Sequence, residues 1–346
     1  MLINSDLIYI KNDINIFILF SNASLGFTMK ILVSDKMAEE AIELLKNAGH
    51  DITYEELDAD ALLKEIHNYD ALMVRSRTKA TKEVIEAGVK GKLKVIGRAG
   101  IGVDNIDIEY AAKKKIKVVN APTGATGSVA ELTIAHMLAL SRSITKADST
   151  MKEGKWEKKK FKGNELFEKT LGLIGCGNIG KRTAKYAMVF GMSVIGYDPF
   201  ISKKDMEKDN IKKIDDLGEL VEKSDYISLH LPHIPQTHHI INKDMMEKMK
   251  KTAYLINCAR GGTVDEKALY DALKSGKIAG ASLDVFEQEP PVDNPLFKLD
   301  NVVLTPHIGA NTVEGQIRAG TICAEQIIKV LNNKEPDHWV NKKMTK

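Results

Sequence analysis

Thr170-Leu171-Gly172-Leu173-Ile174-Gly175-Cys176-Gly177-Asn178-Ile179-Gly180 is the stretch on which the fold is decided. An apolar strand runs into glycines spaced G-x-G-x-x-G, a helix follows over 181–190, and a second strand over 192–197 ends in Asp198. Each part has a physical reason. Gly175 permits a tight turn, Gly177 lets backbone approach a pyrophosphate, and Gly180 lets helix pack close to strand. The helix N-terminus offers unpaired N–H groups and a positive dipole end to phosphate. Asp198 stands where a carboxylate accepts the ribose hydroxyls, and its charge opposes a 2′-phosphate. Lys203 and Lys204 follow a few residues on and soften that preference. A bare glycine turn would be weak, but strand, helix and terminal acid together read as an NAD site.

Working outward, the chain before this stretch alternates from Met29 onward. Strands are expected at 31–35, 51–55, 71–76, 93–98 and 116–120, and helices at 37–48, 60–68, 81–87 and 108–114. Short apolar strands alternating with helices imply parallel sheets covered on both faces. A second alternating series runs from Lys169 to Val303, and 312–331 is helical. Residues 126–154 read as one long helix, with Ser128 and Glu131 as a capping box and Ala130, Ile134, Met137, Leu138 and Ile144 as its apolar stripe.

Composition excludes several classes. The 346 residues are 43% hydrophobic and 28% charged, and 50 basic against 47 acidic residues leave a net charge of only +3. The short runs at 113–115 and 158–160 are solvated lysines without the aromatics of a nucleic-acid groove, so no nucleic acid is expected. Cys176, Cys258 and Cys323 show no paired spacing, which fits a reducing, cytoplasmic setting. The apolar run 14–20 is too short to cross a bilayer, so no membrane partner is expected. Residues 1–28 differ in composition and are expected to be a disordered extension, with Met29 as the working start.

Three later segments carry chemistry. Asn257-Cys258-Ala259-Arg260-Gly261-Gly262 ends a strand with a guanidinium. A strand at 280–286 leads to Glu287-Gln288-Glu289-Pro290, and 302–305 delivers Pro306-His307. In a doubly wound sheet, ligands sit beyond the carboxyl ends of the strands, where these side chains emerge. Oxidising a secondary alcohol needs a base near neutrality, so His307 is assigned as acid/base. A carboxylate beside it orients the ring: Glu289 is preferred, with Glu287 and Asp284 as alternatives. Arg260 suits a forked grip on a substrate carboxylate. Only seven arginines occur, at 75, 77, 98, 142, 182, 260 and 318, against a lysine-rich background, which favours places where a planar fork matters. His230, His233, His238 and His239 lack acidic or cysteine partners at ligand spacing, so no metal is expected. Cys258 reads as a buried small residue rather than a nucleophile.

With these segments, Gly97-Arg98-Ala99-Gly100-Ile101-Gly102-Val103-Asp104-Asn105-Ile106-Asp107 completes a pattern that resembles the D-isomer-specific 2-hydroxyacid dehydrogenases. The likeness runs from about Met29 to Asn333. It implies a Rossmann-type doubly wound sheet at 122–306, inserted into a smaller flavodoxin-like α/β domain formed by 29–121 and 307–340. The family's catalytic set falls on Arg260, Glu289 and His307. Cofactor contacts carried over by position are Asn178, Ile179, Asp198, Leu231, Pro232, Cys258, Asp284 and His307, with Gly309 and Ala310 nearby. Ile101 stands where a threonine is common, so a side-chain hydrogen bond to cofactor is lost there.

The resemblance also implies a substrate. Val74-Arg75-Ser76-Arg77-Thr78 resembles a loop that binds a phosphate, and the backbone of Gly100-Ile101-Gly102 would hold a carboxylate. The expected reaction is NAD-dependent oxidation of D-3-phosphoglycerate; the alternative is reduction of hydroxypyruvate, glyoxylate or another unphosphorylated 2-oxo acid. A dinucleotide-sensing corepressor is the rival from another class, and the intact Arg260, Glu289 and His307 argue against it. A homodimer or a tetramer is implied, with Trp156 and the loop to Phe167 reaching across and Arg142 adding charge from a neighbouring subunit. Longer family members carry C-terminal regulatory domains that bind serine; the chain ends soon after Trp339, so no serine feedback of that kind is expected.

Overall fold

The structure, a computed structural model, describes residues 28–345; the expectation for the first 27 lies outside the described residues. Strands β1 (Lys30–Val33), β2 (Asp51–Tyr54), β3 (Ala71–Val74), β4 (Val95–Arg98) and β5 (Lys117–Asn120) form one parallel sheet in the order β2-β1-β3-β4-β5. That is the flavodoxin-like order, whose switch point lies between β1 and β3. Strands β6 (Thr170–Ile174), β7 (Ser193–Tyr197), β8 (Lys212–Lys213), β9 (Tyr226–Leu229), β10 (Tyr254–Asn257), β11 (Gly280–Leu283) and β12 (Val302–Leu304) form a second parallel sheet. Its order is β12-β11-β10-β9-β6-β7-β8, which reverses at β6, the strand entering the glycine turn. The expected α/β architecture therefore stands. Strands β3, β9 and β11 are buried along their whole length because helices cover both faces.

Two elements differ from the sequence reading. The long helix breaks at Ser143, which adopts a left-handed conformation at φ 50°, leaving helices Thr126–Arg142 and Ile144–Lys152. Packing explains the break. Ile134, Met137 and Leu140 bury against the second sheet, and Ser141 Oγ meets the hydroxyl of Tyr226 at 2.7 Å. Beyond Ser143 the helix buries no residue, and Ile144 is 51% exposed. The capping box does not form either. Ser128 Oγ instead meets Thr312 Oγ1 at 2.7 Å, tying this helix to the start of helix Val313–Leu331.

That last helix returns to the first sheet. A Cβ on Gly97 would lie 2.7 Å from Cys323 Sγ and 2.6 Å from Ile327 Cδ1, so the missing side chain sets how closely the helix approaches β4. The tail then covers the sheet edge at β5: Val119 bridges Trp339, and Val340 N–H donates to Val118 O at 2.8 Å. Asn341, fully buried, completes the edge by accepting from Val118 N–H and donating to Ile116 O. An exposed strand edge is thereby paired within the chain.

Candidate active site

The glycine turn after β6 is shaped as the spacing requires. Gly175 has φ 92°, and a Cβ there would lie 2.5 Å from His230 O. A Cβ on Gly180 would lie 2.4 Å from Gly175 O, whereas one on Gly177 would meet nothing within 4 Å. Two glycines thus serve packing, and Gly177 opens the surface to a ligand. Helix Asn178–Val189 begins at Gly177 with no side-chain cap, so its first N–H groups are left to an anion. Asp198 accepts from Cys176 N–H and Phe200 N–H, both at 2.9 Å, which locks the turn from the neighbouring strand. Asn178 and Pro232 are exposed and Ile179 and Leu231 half-buried along this edge. A cradle of bare N–H groups, an open glycine and a half-buried carboxylate fits a dinucleotide. His230, beneath it, is half-buried with Nε2 3.0 Å from Ser228 Oγ; desolvation brings it down to about 3, which favours the neutral ring.

His307 and Glu289 meet at the carboxyl edge of the same sheet. His307 Nδ1 donates to Glu289 Oε2 at 2.7 Å, and Glu289 Oε1 accepts from Phe286 N–H at 3.1 Å. The carboxylate can only accept, so it holds the proton on Nδ1 and leaves the Nε2 lone pair free. Burial pushes the Glu289 carboxyl up, but the His307 and Phe286 hydrogen bonds and the Arg260 charge outweigh it, and the net shift is downward. His307 itself sits at φ 52°, a left-handed conformation unusual for histidine. Asp284, 1% exposed, holds it there: its carbonyl accepts from His307 N–H, and its carboxylate accepts from Ile308 and Gly309 N–H, each at 2.8 Å. Ala310, next along, is exposed.

The other two carboxylates weighed as partners have different work. Asp284 ties the turn. Glu287 accepts from Glu266 N–H and from His239 Nε2 at 2.9 Å, clasping a loop to helix Glu266–Lys274. This clasp is more than the spacing reading allowed for, because folding brings ligand atoms of His239, Asp265 and Glu287 within 4.8 Å of one another. Asp265 caps the same helix at Ala268 N–H, so backbone amides already account for the group.

Arg260 crosses from the second sheet to the first. Its Nε donates to Asp104 Oδ2 at 3.0 Å, and a Cβ on Gly102 would lie 1.8 Å from its Nη2. The guanidinium therefore lies against Gly102. Arg98, which carried no role in the sequence analysis, lies beside it. Its Nη1 would lie 1.5 Å from a Cβ on Gly100, and its Nε is buried with no partner among the described residues. Burial first, then the Arg260 charge, brings this guanidinium down to about 10 against an opposing pull from Asp104, so it remains a cation. Arg75 adds to the same field. The half-buried Arg75 and exposed Ser76 sit at the switch point after β3, where Asp35 accepts from Arg75 N–H at 2.5 Å and pairs with Arg77. Arg77 is thereby paired, whereas among the described residues the Arg75 side chain bonds only Lys36 O, at 3.3 Å. The scarcity of arginine in this chain was the signal that could have singled out Arg98.

Cys258 is buried. Its thiol lies 3.6 Å from His136 Nδ1, yet burial and Asp284 push it up to about 12, so it is no nucleophile. Arg142 is exposed and packs against Gly163. No helix among the described residues is long and apolar enough to cross a membrane.

The lowered carboxyl of Glu289 has a testable consequence. Because its folded value lies below the ordinary 4.5, its contribution to stability is present above that value and fades as pH falls through the folded one. The thermal midpoint of the native protein minus that of Glu289→Gln should shrink as pH falls below about 4.5. A difference that stays constant down to the acid limit would contradict the pairing.

Known proteins agree with this geometry. Residues 134–309 match the model of the D-isomer specific 2-hydroxyacid dehydrogenase NAD-binding domain. D-3-phosphoglycerate dehydrogenase of Methanocaldococcus jannaschii is 53% identical over 90% of the chain and 59% of its own length. The chain thus spans little more than half of that relative. Hydroxypyruvate reductase of Thermotoga maritima is 50% identical over 87% of the chain and 98% of its own length. A glyoxylate reductase structure from Paecilomyes thermophila superposes with a TM-score of 0.82 at 28% identity, covering 91% of this chain and 99% of that one. The chain belongs to the D-isomer specific 2-hydroxyacid dehydrogenase family and carries its NAD-binding domain.

Proposed function

We propose that the protein oxidises D-3-phosphoglycerate to 3-phosphohydroxypyruvate with NAD, the first step of phosphorylated L-serine synthesis. One observation carries the substrate: Arg75, Arg98 and Arg260 share one field, with Asp104 as the carboxylate that answers it. A substrate bearing a carboxylate and a phosphate brings about three negative charges to that excess. When bound, the nicotinamide supplies the hydride acceptor for C2. His307 Nε2 takes the hydroxyl proton, Glu289 stabilises the resulting imidazolium, and Arg260 grips the substrate carboxylate with its fork. Gly100-Ile101-Gly102 adds backbone donors, and Arg75, Ser76 and Arg98 take the phosphate end.

Reduction of unphosphorylated hydroxypyruvate is the second reading, favoured by the Thermotoga relative's name and its near-complete coverage. Oxidation of NADH with phosphohydroxypyruvate, hydroxypyruvate and pyruvate in parallel separates the two. The phosphorylated acid should show the highest kcat/KM; hydroxypyruvate equal to it or better would overturn the proposal. Arg98→Met should raise KM for the phosphorylated acid about 10–100-fold, the worth of a hydrogen bond to charge, and spare hydroxypyruvate. Its thermal midpoint should not fall, since methionine removes a buried Nε donor that has no partner among the described residues. Equal losses for both acids would refute the phosphate role.

We infer the cytoplasm as its setting and a homodimer as its unit. Exposed Met151 (53%), Trp156 (79%) and Phe167 (59%) support self-association beside helix Ile144–Lys152. The division into 29–121 with 307–340 and an inserted 122–306 follows the two sheets, and the Ser128–Thr312 contact would lie at its hinge.

A further inference from the structure

His136 is 3% exposed on helix Thr126–Arg142, where it faces the ends of β10, β11 and β12. None of the roles above uses it. Its Nδ1 lies 2.6 Å from Ser282 Oγ and 3.6 Å from Cys258 Sγ, and its Nε2 lies 3.2 Å from Thr305 Oγ1. Thr305 Oγ1 is also 2.6 Å from Asp284 Oδ1. Counting protons decides the direction of each bond. A carboxylate has no proton to give, so the single Thr305 hydrogen goes to Asp284. The Thr305 oxygen then offers only lone pairs to His136, and Nε2 must be the donor. Burial disfavours the imidazolium, although Asp284 opposes that. In the neutral ring Nδ1 is therefore an acceptor, and the Ser282 hydroxyl turns from Val303 O, 2.9 Å away, to donate to it.

We propose that His136, with its proton on Nε2, is a positioning residue for the acid/base group, acting through Thr305 on the Asp284 carboxylate that holds the left-handed His307 turn. The chain runs Ser282, His136, Thr305, Asp284, and then to the amides of Ile308 and Gly309, directly after His307. Each member has its polar atoms accounted for in one arrangement of hydrogens. In a buried network, such consistency rigidifies what it holds. The inference rests on the acid/base role proposed for His307, but its first readout does not.

Long-range proton–nitrogen NMR on nitrogen-15-labelled full-length protein reads the tautomer directly, with His136 assigned by the signals lost in His136→Gln. Protonation on Nε2 alone is expected; protonation on Nδ1 alone would overturn the proposal. Two variants test the coupling. His136→Leu fills the space without a donor, whereas His136→Gln places an amide donor near the Nε2 position. The Leu variant should shift the His307 ring resonances and lower kcat about tenfold with KM held, as expected for one lost orienting hydrogen bond. The Gln variant should recover most of both effects. Unmoved His307 resonances in both variants would make His136 a core residue only. If the native protein oxidises no 2-hydroxy acid, the functional proposal fails while the tautomer and the His307 resonances still decide this one.

Discussion

His307→Gln is expected to lower kcat by about 10²–10⁴-fold, the range supplied by a positioned acid/base group. Glutamine keeps a polar side chain of similar reach but cannot take up a proton at neutral pH. NADH binding, followed by fluorescence, should persist, because the cradle is built by β6, helix Asn178–Val189 and Asp198. Glu289→Gln should be milder, since it removes the charge that steadies the imidazolium but leaves the base in place. A His307→Gln enzyme retaining most of its turnover would end the assignment, and Nε2 would no longer be the proton acceptor.

Arg260→Lys carries the second large effect. A lysine keeps the charge but lacks the planar fork, so kcat/KM should fall about 10²–10³-fold, as when a preorganised donor to a developing charge is lost. Stability should hardly change, because the Asp104 partner is 70% exposed and such pairs contribute little. The thermal midpoint therefore separates loss of chemistry from loss of fold. Turnover with the 2-oxo acid close to that of the native protein would show that charge alone suffices and that the forked grip is wrong.

How much of this was legible beforehand follows from what kind of residue carried each feature. The glycine turn, the strand alternation and the strand ends that carry Arg260 and His307 were readable because each is local. Gly175 needs a positive φ, Gly180 needs helix against strand, and Asp198 lies one strand further on. The choice of Glu289 over Glu287 and Asp284 was not settled locally, since all three lie within six residues. Only the fold shows that Asp284 is turned to backbone amides and Glu287 to His239. The helix break at Ser143 escaped notice for a similar reason. Its cause is the Tyr226 hydroxyl, 85 residues beyond Ser141, and the edge of the sheet that carries it.

Periodicity and glycine spacing by themselves determined the two parallel sheets and the NAD cradle, since both depend on backbone conformations that neighbouring residues impose. Tertiary structure alone decided which charges meet. Arg98 Nε became a buried donor with no partner among the described residues only when Gly100 and Gly102 let Arg98 and Arg260 lie against one loop. His136 joined Asp284 only when a helix from one part of the chain crossed strands from another. Electrostatic and hydrogen-bond partners are selected by distance in space, and distance along the chain carries almost none of that information.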